Sequence, residues 1–204
     1  IKQDTVTALR VMTEANMTYP AQATSQATFA GIIDTNDTNV TSKEGRVVNL
    51  EIYDNKGFKY TVRCSLHDAD TTKDDGVFFL QLDDILDSNG KSVVAAGGKL
   101  TDYVKFADGT IGNTTDGTTA YLRYSTKDGS FLSVGTDGTT TGQSTVSLDF
   151  NQANLPSFDD ITADFSATSN QNNNGSSTFV GSKGDSKGIG SGRKVGEMSG
   201  IAIQ

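Results

Sequence analysis

The sequence predicts an all-β protein made of two β-rich domains, an outer sandwich- or barrel-like one inserted into a discontinuous inner one. Three observations predict it. Hydrophobic residues make up only 34% of the 204 residues, Trp is absent and Gly occurs 22 times, which favours short strands with frequent turns over long helices. Apolar and polar residues alternate over several short runs, the period of a strand with one face in solvent. Turn residues punctuate those runs at regular spacing, and two polar end segments of similar composition flank the densest block. A chain of this length has room for one or two domains.

The elements follow in order. Residues Ile1 to Tyr19 fit neither period cleanly, and Pro20 pushes Tyr19 out of helical space, so an extended approach is expected there. Ala27 to Ile33 reads as a strand closed by the polar cluster Asp34 to Ser42, a candidate linker. Next, Val48, Leu50 and Ile52 alternate, Asp54-Asn55-Lys56-Gly57 supplies a turn, and Phe58, Tyr60, Val62, Cys64 and Leu66 alternate again. This is a β-hairpin whose outward residues are Asn49, Glu51, Lys59, Thr61, Arg63 and Ser65. Further strands are expected at Val77–Leu82, Leu100–Phe106, Ala120–Tyr124, Phe131–Val134, Val146–Phe150 and Ile161–Phe165. Turns separate them at Ser88-Asn89-Gly90, Asp108-Gly109, Asp128-Gly129 and Asp137-Gly138, a spacing that fits a sandwich or distorted barrel. A polar tract from Ser169 to Ser177 and a Gly-rich basic loop from Gly181 to Gly196 precede a last strand pattern at Met198–Ile203. The inner domain is assigned to residues 1–40 plus 151–204, the outer one to 41–150.

Charge and composition narrow the function. A net charge of -8 argues against nucleic acid, whose binders need a basic stripe to displace counterions. No run approaches the length of apolar chain that crosses a bilayer, and no basic-then-apolar secretory segment opens the sequence. One cysteine and one histidine give no internal disulfide and no ordinary zinc site. The start at Ile1 and the stop within an apparent strand at Gln204 read as those of a trimmed fragment.

Each pattern with catalytic or ligand-binding overtones has a plainer structural explanation. Gly188-Ile189-Gly190-Ser191-Gly192-Arg193-Lys194 resembles a phosphate loop, but no Ser or Thr follows the lysine and no strand-loop-helix context surrounds it. Asp87-Ser88-Asn89-Gly90 resembles part of a calcium loop, yet counting from Ile85 the closing ligand position falls on Ala96. Ser125 to Phe131 resembles one copy of a propeller Asp-box turn, without the repeat a propeller needs. Leu66-His67-Asp68 has no nucleophile elbow to complete a hydrolytic triad. Cys64 shares parity with Phe58, Tyr60 and Val62, which predicts a buried thiol on the inner face of its strand. No catalytic residue, cofactor site or metal site is assigned, and the protein is expected not to be an enzyme.

Several stretches carry a family likeness. They are Tyr19-Pro20-Ala21-Gln22-Ala23-Thr24 with Ala27-Thr28-Phe29-Ala30-Gly31, the hairpin around Ile52-Tyr53-Asp54-Asn55-Lys56-Gly57, Ile161-Thr162-Ala163-Asp164-Phe165, Ser176-Ser177-Thr178-Phe179, and Gly181 through Arg193-Lys194-Val195-Gly196-Glu197-Met198-Ser199-Gly200-Ile201. Together they resemble bacterial flagellar hook proteins. The departures are Lys183-Gly184-Asp185-Ser186, where the family commonly has an aromatic-containing loop, and the block Asp68 to Val134, which matches no stretch of the family pattern.

The resemblance implies a subunit of the hook, the flexible extracellular tube that acts as a universal joint between motor, rod and filament. It implies terminal helices outside this sequence and export by the flagellar type III apparatus. The implied partners are further copies in a helical homopolymer and other axial proteins, namely rod, hook cap and hook–filament junction. Some members join neighbours through a cysteine-derived dehydroalanine attacked by lysine. Cys64, with Lys43, Lys56 or Lys59 on a neighbour as acceptor, is the candidate for such an inter-subunit crosslink. Two rivals stand beside this: a distal rod or other axial protein, and a β-sandwich carbohydrate-binding adhesin, which would need an aromatic platform that the missing Trp disfavours.

Overall fold

A computed structural model describes residues 18–107, 117–136, 142–183, 192 and 196–197. The protein is all-β. Its strands are β1 (Thr18–Tyr19), β2 (Gln26–Ile33), β3 (Arg46–Tyr53), β4 (Lys59–Asp68), β5 (Val77–Leu86), β6 (Val104–Ala107), β7 (Thr119–Tyr124), β8 (Phe131–Gly135), β9 (Thr145–Phe150), β10 (Ile161–Asn170), β11 (Val180–Gly181) and β12 (Gly196–Glu197). A 3-10 turn at Leu100–Asp102 takes the first half of the strand expected at Leu100–Phe106. The expected segments Ile1–Met17 and Met198–Ile203, and the turns at Asp108-Gly109 and Asp137-Gly138, lie outside the described residues.

Two five-stranded sheets carry the architecture, in the orders β11-β2-β10-β9-β6 and β3-β4-β5-β7-β8, with β1 and β12 forming a small ribbon of their own. The second sheet is an antiparallel meander, the topology that alternating runs with short turns produce. In the first, β2 and β10 pair in parallel from Gln26–Thr162 to Ile33–Asn170. A parallel pair needs a long crossover, and here the crossover is the entire second sheet together with β6 and β9. The boundary expected near residue 150 falls between β9 and β10, which are neighbours in one sheet.

The hairpin β3–β4 forms where alternation predicts it, with Val48 opposite Cys64 and Leu50 opposite Val62 on the buried face. Its turn is fixed by Asp54, whose Oδ1 accepts the backbone N–H groups of Lys56 (3.0 Å) and Phe58 (2.8 Å), while Gly57 supplies the positive φ of +85°. Phe58 departs from expectation. It belongs to the turn rather than to β4 and is 61% exposed.

Two bulges explain where the alternation changes phase. On β5, Phe78, Leu80 and Leu82 face the core and so does Ile85, one parity later. The pairing Arg63–Asp84 followed by Cys64–Leu82 leaves Asp83 as the extra residue. On β10 the buried set passes from Ile161, Ala163 and Phe165 to Thr168 across a register shift between Asp164 and Ala167. There Thr168 Oγ1 lies 2.7 Å from the buried Tyr124 hydroxyl on β7, a contact from one sheet to the other.

One hydrophobic cluster holds residues of both sheets. Phe29 stacks on Phe165 with ring centroids 4.5 Å apart and on Phe179 at 5.8 Å. The sheets are also stitched along both margins by backbone hydrogen bonds. Glu51 N–H donates to Ser182 C=O (3.2 Å) and Thr24 N–H to Tyr53 C=O (3.0 Å) beside β3, while Asn170 N–H donates to Gly129 C=O (2.9 Å) beside β8. Edges that would otherwise present unpaired backbone are thereby largely covered at these points.

Candidate functional site

A heavily bonded polar cluster lies where β2 ends, in the segment expected to be a linker. Asp34 and Asp37 are 1% and 2% exposed, and buried carboxylates persist only with full hydrogen bonding. Asp34 Oδ1 accepts the N–H of Asn36 (2.8 Å), and its Oδ2 accepts those of Asn173 (2.6 Å) and Gly175 (2.8 Å). Asp37 Oδ1 accepts from Asn39 (2.9 Å), while its Oδ2 accepts from Ser177 N–H (2.9 Å) and faces the Arg46 guanidinium at 3.5 Å. Asp34 N–H in turn donates to Ser177 Oγ (3.0 Å).

The carboxylates therefore tie the β2–β3 loop to the β10–β11 loop, far apart in sequence. Burial opposes the charge on Asp34, but the N–H groups of Asn173, Asn36 and Gly175 outweigh it and hold its carboxyl below the ordinary aspartate range. Asp37 follows the same pattern: burial raises, the Ser177 and Asn39 amides lower, Arg46 adds to the lowering, and the net shift is downward. Asn170 Nδ2 adds donations to Ile33 C=O (3.0 Å) and Thr35 Oγ1 (3.1 Å). This cluster is a lock between the head and tail of the chain rather than a reaction centre, since all four carboxylate oxygens are engaged. The i, i+2 spacing of Asp34 with Asn36 and of Asp37 with Asn39 signals the local turns; the long-range half of the lock has no sequence signal.

Cys64 is 1% exposed on the inner face of β4, and burial followed by the nearby Asp83 pushes its thiol pKa upward. Lys43, Lys56 and Lys59 are all exposed, on the β2–β3 loop, the hairpin turn and the first position of β4. Lys59 Nζ lies 4.0 Å from Glu51. The structure thus separates the sulfur from the three amines, placing one in the core and the others at the surface. A thiol in that position is protonated and shielded, the opposite of what a reactive cysteine needs.

His67 does have a serine and a carboxylate nearby, although not Asp68. Its Nε2 is 3.0 Å from Ser65 Oγ, and Ser65 donates to Asp83 Oδ1 at 3.1 Å. The hydroxyl sits between the imidazole and the carboxylate, whereas a triad needs the imidazole in the middle. Ser65, expected to face solvent, is 4% exposed. The turn at Gly45 covers this part of β4: a Cβ on Gly45 would sit 2.5 Å from His67 Nε2, and its φ is +70°. The other face of the imidazole stacks on Phe79, centroids 4.7 Å apart and planes 10° from parallel.

The Asp-containing turns use their own oxygens. Asp87 Oδ1 accepts from Asn89 (2.8 Å) and Lys91 (2.9 Å), and Asp128 Oδ1 from Ser130 N–H (3.1 Å) and Oγ (2.7 Å). Among the described residues no three His, Cys, Asp or Glu side chains are placed to hold a metal ion. Of the glycine-rich run Gly188–Lys194, only Gly192 lies within the described residues.

An open polar groove of about 450 Å³ runs between loop ends, lined by Thr35, Asp74, Lys127, Asp128, Gln171 and Asn172 among others, with no aromatic ring in its lining. Sugar-binding grooves usually stack an aromatic face on the ring. On the outer face of the second sheet His67 stacks on Phe79, and Tyr121 lies tilted by 50° to Phe79 with centroids 5.9 Å apart. No protein-family model matches this chain, and no curated protein does either.

Proposed function

We propose that this chain is the β-rich surface portion of a flagellar hook subunit, a non-catalytic building block that polymerises into the flexible extracellular tube between rod and filament. One observation carries the reading. The head and tail segments, β2 with β10 and β11, lie side by side in one sheet, and β1 pairs with β12. The meander β3-β4-β5-β7-β8 lies between them in sequence. A subunit that inserts a surface-exposed body into a tube wall needs that arrangement, because its entry and exit must share one wall segment.

The residue likeness at both ends and in the β3–β4 hairpin supports the same reading. So does the surface, rich in Thr, Asn and Asp, whose wet contacts with neighbouring copies can be exchanged at small cost during bending. Assembly is heterologous, each copy presenting one surface to the different surface of the next. Rod, hook cap and hook–filament junction proteins are the partners at the two ends of the tube.

The test is immunogold electron microscopy with antibodies raised against the described β portion, on cells that make the protein. Gold confined to the short curved segment between cell body and filament supports the hook. Gold only on rods released from disrupted envelopes supports the axial-protein rival, and gold spread over the cell surface supports the adhesin; either result overturns the proposal.

A further inference from the structure

His67 has the setting of a clasp. Its imidazole lies between the Phe79 ring and the backbone of Gly45, where no side chain fits, and it bonds through Ser65 to Asp83. The turn it touches is shaped by its own bonds, Gly45 N–H donating to Ser42 C=O (3.3 Å) and Oγ (3.1 Å), while Asp68 N–H at the end of β4 donates to Val40 C=O (3.1 Å) just before it. Immediately after this turn comes β3, the outermost strand of its sheet, with Val47 55% exposed. We infer that His67 is a proton-operated clasp: the neutral imidazole holds residues 42–45 down on the outer face of β4, and its protonation lets that turn lift, uncovering Ser65 and the start of edge strand β3.

The charged groups around the ring come from each element packed on it. Asp83 on β5 faces it through Ser65, Glu44 lies on the covering turn, and the Ser42 backbone hydrogen-bonds the ring. Asp83 is itself close to Arg63 on β4 and Asp84 on β5. Burial between a ring and a backbone disfavours the imidazolium, and it outweighs the pull of Asp83, Ser42 and Glu44, so the His67 pKa lies below the ordinary value. A group with a depressed pKa contributes stability that is present above the unfolded value of about 6.5 and is lost as pH falls through the folded one. The lid, not the sheet beneath, bears that loss, because local opening requires breaking only the few bonds above.

His67 is the only histidine in the chain, so its ring resonance in proton NMR is unambiguous. The experiment follows that resonance from pH 8 to pH 4.5 and measures amide exchange as a protection factor for Asp68, whose N–H bonds across from β4 to Val40. Expected is a midpoint below that of free histidine, with a several-fold loss of protection at this amide tracking it. His67→Gln, which carries no titrating ring, is expected to show flat protection across the same range. Asp83→Asn removes a carboxylate that favours the imidazolium, so both midpoint and opening move together to lower pH, a response that a merely structural histidine would not show. Gly45→Ala is expected to lift the turn at every pH. The inference is overturned by a midpoint at or above the free value, by protection that is flat in the parent protein, or by an unchanged pH profile in His67→Gln.

Discussion

Replacing Asp34 by Asn tests the lock between head and tail at its centre. The change keeps size and shape but removes the charge and turns one acceptor oxygen into an NH2 group. In the parent, one oxygen serves Asn36 while the other serves both Asn173 and Gly175. Asn can satisfy one side only, so at least one buried N–H meets another donor. A hydrogen bond to a charged group contributes about 1.5–3 kcal/mol, and an orphaned buried donor costs about 1–3 kcal/mol. Allowing for partial relaxation, the expected loss is about 2–4 kcal/mol. With a urea m value of about 2 kcal/mol/M, the unfolding midpoint drops by about 1–2 M. Because Trp is absent, far-UV circular dichroism is the natural probe. Amide exchange at Asn173 and Gly175 should accelerate well before that at the β3–β4 pair. A loss below about 0.5 kcal/mol, with both amides still protected, would refute the claim that the carboxylate holds the two loops together.

The same lock governs acid sensitivity. Asp34 and Asp37 have depressed folded values, so their contribution is present above the unfolded value of about 4 and is lost as pH falls through the folded values; urea midpoints between pH 5 and pH 2 should fall less steeply in Asp34→Asn than in the parent. Phe29→Ala, which removes a ring packed against both Phe165 and Phe179, is expected to cost about 3–5 kcal/mol in the same assay. Gly129→Ala strains a φ of +71° and drives a methyl group into the Asn170 carbonyl, so the melting temperature should drop and the Asn170 amide lose protection. Cys64 should react with a thiol-specific disulfide reagent far more slowly in the native protein than in denaturant; matched rates would mean that the thiol is open to a neighbour's lysine after all.

Much of this fold was legible because alternation is a local signal. Val48, Leu50, Ile52, Val62, Cys64 and Leu66 declare their face within the strand that carries them, and each is buried. Phase changes were harder to see. The doublet Asp83-Asp84 between Leu82 and Ile85 is the trace of the β5 bulge, but two polar residues in a row read equally well as the end of a strand. Ser65 is buried on a face that its parity assigns to solvent, because parity says which face a residue occupies and not what covers that face, and the cover comes from a turn twenty residues earlier. Asp34 shows the same limit: composition marks its neighbourhood as loop, while its partners Asn173 and Gly175 are brought to it only by the parallel pairing of β2 with β10.

That parallel pairing also decides how the body responds to tension. Strand β11 runs antiparallel to β2 and leaves on the side where β2 enters, so drawing those two leads apart first peels a pair two residues long, one bond at a time. Once it has opened, the pull reaches β2 and β10 along their common axis, and the whole ladder from Gln26 to Ile33 must slip at once. The result is a compliant opening stage backed by a stiff one, a mechanical fuse in series with a rigid spar.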